Sequence, residues 1–274
     1  MCSKVCIRRY WGRPARGIQV SDIHHRHLDS LVIVAGHAVY SGDDSSSPSA
    51  DTSWFLQDFQ KGEPPLFIEH IRRGVDLAAA DARSLLVFSG GQSRAEAGPK
   101  SEGGSYREVA EHFSWWRRTG VEARATTEEF ARDSFENLLF GICRFFQCVH
   151  RFPGSVKMVT WAFKETRFRM HCRAIRYPES RFEVIGVNNP VDLEAAEQGE
   201  RRAIALFSRD PCGKGEILGG KREQRNPFHR QHPYAAVSAA LTDSRRYDRC
   251  TPCWDPPLPP STRGGPSGSA PPSP

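Results

Sequence analysis

Between residues 29 and 207, short apolar runs alternate with stretches of helical periodicity, and this alternation limits the fold more than any other feature. Runs typical of buried strands cover 29–36 and 84–88, further strands are expected at 155–161 and 181–187, and a short extended piece lies at 121–125. Helical patterns follow at 67–80, 105–119, 133–149, 162–176 and 192–207. The alternation predicts an α/β fold, a Rossmann-like three-layer sandwich with a mostly parallel sheet and helices on both faces.

The strongest helical pattern begins at Asp133 and Ser134, whose side chains can cap the free amides of a first turn. Its apolar stripe has the spacing of a helix that lies on a core, and it consists of Phe135, Leu138, Leu139, Ile142, Phe145, Phe146 and Val149. The other chemically distinctive residues follow apolar strands whose ends can converge on this first turn.

Charge and composition divide the chain into four parts. The net charge of +6 comes from the ends, because residues 29–207 carry a net charge of −3. We expect a poorly ordered basic arm at 1–28, the α/β domain at 29–207, a C-terminal extension at 208–249 and a disordered Pro/Ser/Gly-rich tail at 250–274.

The extension carries aromatic Phe228 and Tyr234 together with the basic residues Arg222, Arg225, Arg230 and His232. It either folds back as a cap over the domain or forms a surface extension, and the sequence leaves both alternatives open.

The charge distribution and the apolar pattern exclude several classes of protein. Because the basic residues lie at the ends, the folded body offers no face for nucleic acid. No apolar run reaches the roughly 18 residues of a membrane span. The N-terminus lacks the apolar region of a secretory signal and resembles a mitochondrial presequence only faintly. The scattered cysteines favour a reducing compartment, so we expect a cytoplasmic protein.

Two short patterns resemble known sites but lack essential parts. Cys250 and Cys253 form a lone CxxC, and zinc would require two more ligands from Cys212, His229 or His232. Residues 215–221 match the glycine and lysine spacing of a P-loop, but Arg222 stands where Ser or Thr must hold magnesium. No strand is followed by G-x-G-x-x-G, and neither G-x-S-x-G nor H-E-x-x-H occurs. We therefore predict no metal site.

Polar clusters follow the strands, and another lies in the first helical turn at Asp133. The carboxyl ends of parallel strands meet at one edge of a sheet, where ligands bind. The predicted ligand-binding residues are Gly36, His37, Ser89, Gly90, Gly91, Arg94, Glu129, Asp133, Ser134, Asn137, Thr160, Lys164 and Arg167. We expect Ser89, Gly90 and Gly91 to offer backbone amides, and Lys164 and Arg167 to offset negative charge. His37 is the candidate acid or base, because the ordinary pKa of histidine lies near neutrality.

The segments Val34–His37, Ser89–Arg94, Glu128–Asn137 and Thr160–Phe168 occur in the order seen in the YdcF-like family, domain of unknown function 218, and resemble its fungal branch. The resemblance covers about residues 30–207. The resemblance implies a Rossmann-like fold. Bacterial relatives have roles in envelope biology, and one of them is associated with binding S-adenosylmethionine. His37, Asp133-Ser134, Trp161 and Lys164 depart from the bacterial pattern.

The resulting hypothesis is an uncharacterised YdcF-like protein that binds a small anionic or nucleotide-like metabolite at the carboxyl ends of its strands. The sequence specifies no reaction and no protein partner. One alternative is a non-catalytic scaffold in trafficking or envelope assembly, whose chain ends bind partners. Another is a phosphoesterase that uses Asp43, Asp44 and Asp133.

Overall fold

A sheet of five parallel strands lies at the centre of the computed structural model, which describes residues 25–42 and 46–242. The strands and helices in chain order are β1 (Ser30–Ala35), β2 (Val39–Tyr40), β3 (Trp54–Phe55), α1 (Pro64–Ala80), β4 (Ser84–Ser89), α2 (Glu102–His112), β5 (Ala125–Glu128), α3 (Ser134–Val149), β6 (Ser155–Thr160), α4 (Glu165–Ala174), β7 (Phe182–Gly186), α5 (Leu193–Arg209), α6 (Glu216–Gln224) and α7 (Ala235–Thr242).

The strand order across the sheet is β5-β4-β1-β6-β7, and every neighbouring pair is parallel. The chain therefore adds strands to one side of β1 and then crosses to add them to the other side. The predicted Rossmann-like α/β fold is confirmed. In such a sheet, the strand order reverses between β1 and β6, and this point opens a crevice at the carboxyl ends of the strands.

Successive side chains of β1 pack alternately into two hydrophobic cores, one on each face of the sheet. Leu31 and Ile33 pack into one core with α3 and α4, whereas Val32 and Val34 pack into the other with α1 and α2. Successive side chains of a strand point to opposite faces, so a strand between two helical layers must be apolar throughout. This arrangement explains the continuous apolar run that the sequence shows at residues 29–36.

Two element boundaries differ from the prediction. The extended piece expected at 121–125 is mostly a turn, and β5 runs over Ala125–Glu128, where Thr126 and Thr127 pair with β4. The helix expected over 105–119 begins at Glu102 and ends at His112.

The early end of α2 has a visible cause. Residues 114–117 all have positive φ angles and form a left-handed turn. This turn buries Trp115 and leaves Trp116 half-buried and stacked on Phe113.

The C-terminal extension packs against the α3 side of the domain as far as the structure describes it. Leu218, Tyr234, Val237 and Leu241 join the core that α3 forms with the sheet. The Tyr234 ring lies 5.1 Å from the ring of Phe140, centroid to centroid. Within residues 25–42 and 46–242, no helix combines the length and the apolar character that crossing a membrane would require.

Candidate functional site

A cavity of about 710 Å³ opens at the carboxyl edge of the sheet, at the point where the strand order reverses between β1 and β6. Most of the predicted ligand-binding residues line it: Gly36, His37, Arg94, Asp133, Ser134, Asn137, Thr160, Lys164 and Arg167. Ser89, Gly90, Gly91 and Glu129 are not among its lining residues. The extension also contributes to the wall through Lys221, Gln224 and Arg225.

The expectation that Gly90 and Gly91 offer amides to a ligand is wrong, because both amides are bonded within the chain. The Gly90 N–H donates to the Glu128 carbonyl at 3.0 Å, and the Gly91 N–H donates to the Ala131 carbonyl at 2.7 Å. Ser89 is also engaged, since its buried hydroxyl lies 2.7 Å from a Glu128 carboxylate oxygen and 3.0 Å from the Asn137 amide oxygen. These residues join the ends of β4 and β5 to α3.

The glycines at the strand ends instead make room for a carboxyl group. A Cβ atom added at Gly36 or at Gly90 would lie 2.6 Å from the Cβ atom of Glu102. Glu102 opens α2, lines the cavity and accepts a hydrogen bond from the Ser93 hydroxyl. Burial raises the pKa of its carboxyl, although this bond opposes the shift. The sequence does not single out Glu102 as a site residue. Its position in the first turn of a helix that follows a glycine-rich loop is the signal that could have indicated it.

His37 lies in an aromatic setting that changes its acid–base character. Its ring stacks on Trp161 at a centroid distance of 5.4 Å and meets the edge of His70 at 5.2 Å. Burial, followed by the positive charge of Lys164, lowers the pKa of His37 well below its usual range. The prediction that His37 exchanges protons near neutrality is therefore wrong. The neutral imidazole presents a buried Nε2 atom that lacks a hydrogen-bond partner among the described residues.

A polar network ties the first residue of α3 to α4 and α5. The Ser134 hydroxyl lies 2.8 Å from His171 Nε2 and accepts a hydrogen bond from Arg167 Nη1 at 3.0 Å. Arg167 also forms a two-pronged ion pair with Glu200, with N–O distances of 2.9 and 2.7 Å. Burial lowers the pKa of His171 to about 3, so its ring stays neutral.

The network contains two residues that the sequence analysis missed. His171 lies four positions after Arg167, so the two share a face of α4. That spacing could have indicated His171, but no sequence signal joins Glu200 to Arg167 across 33 positions.

Asp133 connects the site to the extension. One carboxylate oxygen caps α3 by accepting the Glu136 N–H at 2.9 Å, and the other accepts the Arg222 Nε–H at 2.7 Å. Arg222 is buried and also donates to the carbonyl oxygens of Cys212 and Gly213. Burial opposes ionisation of Asp133, but the neighbouring Arg222 outweighs it and holds the pKa of Asp133 below its usual range.

The cavity wall carries more unpaired cations than unpaired carboxylates. Among the described residues, no ion pair to a carboxylate is formed by the lining cations Arg94, Lys164, Arg202, Lys221 and Arg225. Arg225 instead donates to the Arg132 carbonyl at 3.0 Å. Burial, followed by the charge of Arg167, lowers the pKa of Lys164 to about 7, and burial raises the pKa of Glu63 to about 7.

The described part of the chain contains no group of three or more His, Cys, Asp or Glu side chains placed to hold a metal ion. The candidate zinc ligands Cys250 and Cys253 lie outside the described residues, as do Asp43 and Asp44 of the phosphoesterase hypothesis. Residues 215–221 begin α6 after a turn instead of following a strand, so they lack the setting of a P-loop.

Comparisons with other proteins give one clear relative. The chain matches no family model, and its resemblance to the YdcF-like family stays a prediction. In the S. aureus MnaA–UDP co-structure, the alignment covers 88% of this chain but only half of the other chain, with 12% identity and a TM-score of 0.29. Uncharacterized protein YOR238W of Saccharomyces cerevisiae is 30% identical over 263 residues, which cover 75% of this chain and 86% of the yeast protein. The chain therefore belongs to the family of the yeast protein YOR238W.

Proposed function

We propose that this protein binds a small anionic, nucleotide-like metabolite in the cavity at the carboxyl ends of β1 and β6. The observation that carries the proposal is the set of lining cations without carboxylate partners, with Lys164, Arg94 and Arg225 as its main members. Ligands of such sheets bind where the strand order reverses, and the cavity lies at that place.

The state of the carboxylates strengthens the positive character of the cavity. Asp133 is paired with Arg222, and Glu200 is paired with Arg167. Glu63 has a pKa of about 7 and is therefore partly protonated near neutrality. A bound anion would receive charge-assisted hydrogen bonds from side chains that otherwise repel one another, so its binding relieves an unfavourable arrangement.

The size and rim of the cavity favour a ligand with a ring as well as an anionic group. Its volume of about 710 Å³ falls in the range of small-molecule sites. Phe59 lines it and is 64% exposed, and half-buried Phe163 also contributes to the wall. Exposed aromatic rings beside a positive pocket are suited to stack on a nucleobase.

Thermal unfolding of the full chain with a panel of anions tests the proposal. The panel contains inorganic phosphate, nucleoside mono- and diphosphates, sugar phosphates and S-adenosylmethionine. A ligand present at 100 times its Kd stabilises a protein by about 2.7 kcal/mol. For a domain of this size, that corresponds to a rise in Tm of roughly 5 to 10 °C.

Two substitutions locate the ligand. Lys164→Met and Arg225→Met should abolish the rise in Tm, because both remove cations of the cavity wall. The matched controls are Lys157→Met, on β6 away from the cavity, and Arg173→Met, whose partner is Glu179 on the surface. The proposal fails if no anion raises Tm, or if the control variants lose the rise as fully as the cavity variants do.

A further inference from the structure

Lys164 occupies an unusual place for a lysine. It occupies the position before the first residue of α4, immediately after the turn that follows β6, it is half-buried, and it lines the cavity. Its ammonium lies 5.6 Å from the centre of the Phe163 ring and forms no ion pair with a described carboxylate. A structural lysine normally keeps its charge in water or beside an acid, and Lys164 does neither fully.

The groups that face Lys164 disfavour its protonated form. Arg167 follows on α4, and Arg225 approaches from the extension. The positive end of the α4 dipole adds to their effect. Glu200 and Glu63 oppose them, but Glu200 is already paired with Arg167 and Glu63 is itself only partly ionised near neutrality.

The remaining titratable neighbours do not restore the charge of Lys164. Lys164 also influences His37 and Glu102 across the cavity. The His37 ring is neutral near pH 7, and the pKa of Glu102 is raised by burial. The pKa of about 7 for Lys164 agrees with this arrangement, and burial is its largest cause. An amine that is partly unprotonated near neutrality and open to a cavity is a nucleophile.

We propose that Lys164 is a nucleophilic amine that forms a Schiff base with an anionic aldehyde or ketone bound in the cavity. This inference rests on the proposed function, since Arg94 and Arg225 would hold the anionic group of the carbonyl compound. It also names the chemical class of the ligand more closely, because the cavity places an amine among the cations that recognise the anion.

The bond changes of this step balance without an added oxidant or reductant. The Nζ lone pair attacks the carbonyl carbon, the C–N bond forms, and the π pair moves to oxygen, which takes up a proton. The nitrogen then loses a proton, and its lone pair forms the second C–N bond as the C–O bond breaks and the oxygen leaves with a second proton as water. Glu63 lines the same cavity and is partly protonated near neutrality, so its carboxyl group can supply and recover protons.

Reductive trapping on the full chain tests the inference. The probe is glyoxylate with sodium cyanoborohydride, and peptide mass mapping assigns the modified lysines. At pH 7, Lys164 should be labelled roughly 25- to 55-fold faster than an ordinary surface lysine, because its unprotonated fraction is far larger even after allowance for its lower intrinsic nucleophilicity. Lys61, an exposed residue paired with Asp58, is the internal control.

Three further results are expected. The rate of labelling at Lys164 should level off above about pH 7, whereas the rate at an ordinary surface lysine keeps rising towards about pH 10. Inorganic phosphate should slow the labelling of Lys164 and leave Lys61 unchanged. Lys164→Arg, which keeps the charge and tests the amine alone, should still be stabilised by phosphate but lose the adduct.

The outcomes separate this inference from the proposed function. If phosphate raises Tm and Lys164 is labelled no faster than Lys61, the nucleophilic amine is refuted and the anion site stands. If the Lys164→Arg variant gives the same yield of adduct, the reactive group is another residue and the inference is wrong. If no anion of the panel raises Tm, and labelling is even over the lysines, both proposals fail.

Discussion

Replacing Asp133 with alanine should destabilise the protein far more than the loss of an ordinary helix cap. Asp133 caps α3 and also neutralises Arg222, and the two side chains are only 12% and 9% exposed. The substitution therefore removes two interactions at once, one local and one that joins the extension to the domain.

The structure allows an estimate of each loss. An N-cap removal costs about 1 kcal/mol. Removing one partner of a buried pair costs about 3 to 5 kcal/mol. We take the lower end, about 3 kcal/mol, because Glu136 remains 3.5 Å from Arg222 and retains part of the attraction. The total of about 4 kcal/mol corresponds to a fall in Tm of roughly 8 to 16 °C for a domain of this size.

Two further variants separate the contributions, and thermal unfolding followed by circular dichroism measures all three. Asp192→Ala removes another aspartate cap, which accepts the Ala195 N–H at 3.0 Å in an exposed position and forms no ion pair with an arginine of the described residues. It should lower Tm by only about 2 to 4 °C. Asp133→Asn keeps an oxygen for the cap and removes the charge, so its cost should approach that of the ion pair alone.

The reasoning would be refuted if Asp133→Ala lowered Tm no more than Asp192→Ala does. A pH series gives a second check. The pKa of Asp133 is held below its ordinary value of 3.8, so its contribution to stability is present above that value and is lost as the pH falls through the lower folded-state pKa. The stability difference between the native chain and Asp133→Asn should therefore shrink on acidification.

Two other predictions concern packing and buried histidines. Gly74→Ala should cost about 1 to 3 kcal/mol in urea unfolding, because its Cβ would overlap a methyl carbon of Val34. Gly220→Ala meets no atom of the described residues within 4 Å and should stabilise α6 by up to about 1 kcal/mol. Burial lowers the pKa values of His70 and His171 to about 3, so NMR should find neutral rings at pH 5. Between pH 6.5 and pH 3 only the unfolded chain binds these protons, so the free energy of unfolding should fall as the pH drops through this range.

The α/β fold was predictable because short local sequence patterns indicate its strands and helices. Each apolar run that became a sheet strand lies between two helical layers, and no other environment demands so continuous a pattern. The boundaries of α2 and β5 were less predictable. Trp116 fits a helical stripe with Val109 and Phe113 in sequence, but it lies in a left-handed turn in which Trp115 packs against Phe88.

The position of the candidate site was also accessible from sequence, but its chemistry was not. Parallel strands bring their carboxyl ends to one edge, so polar residues after β1, β4 and β6 had to lie near one another. Whether an amide at that edge is free depends on which carbonyl reaches it. The Ala131 carbonyl takes the Gly91 N–H from 40 positions away, and no pattern around Gly91 indicates this bond.

The extension has the same kind of long-range role, and it links stability to binding. Arg222 and Arg225 are three positions apart at the end of α6, which places them on neighbouring parts of one face. Arg222 holds that face against Asp133, and Arg225 then reaches the cavity wall. An interaction that appears purely structural therefore positions a cation of the proposed anion site. For this reason, the effect of Asp133 substitutions on ligand binding should be read together with their effect on Tm.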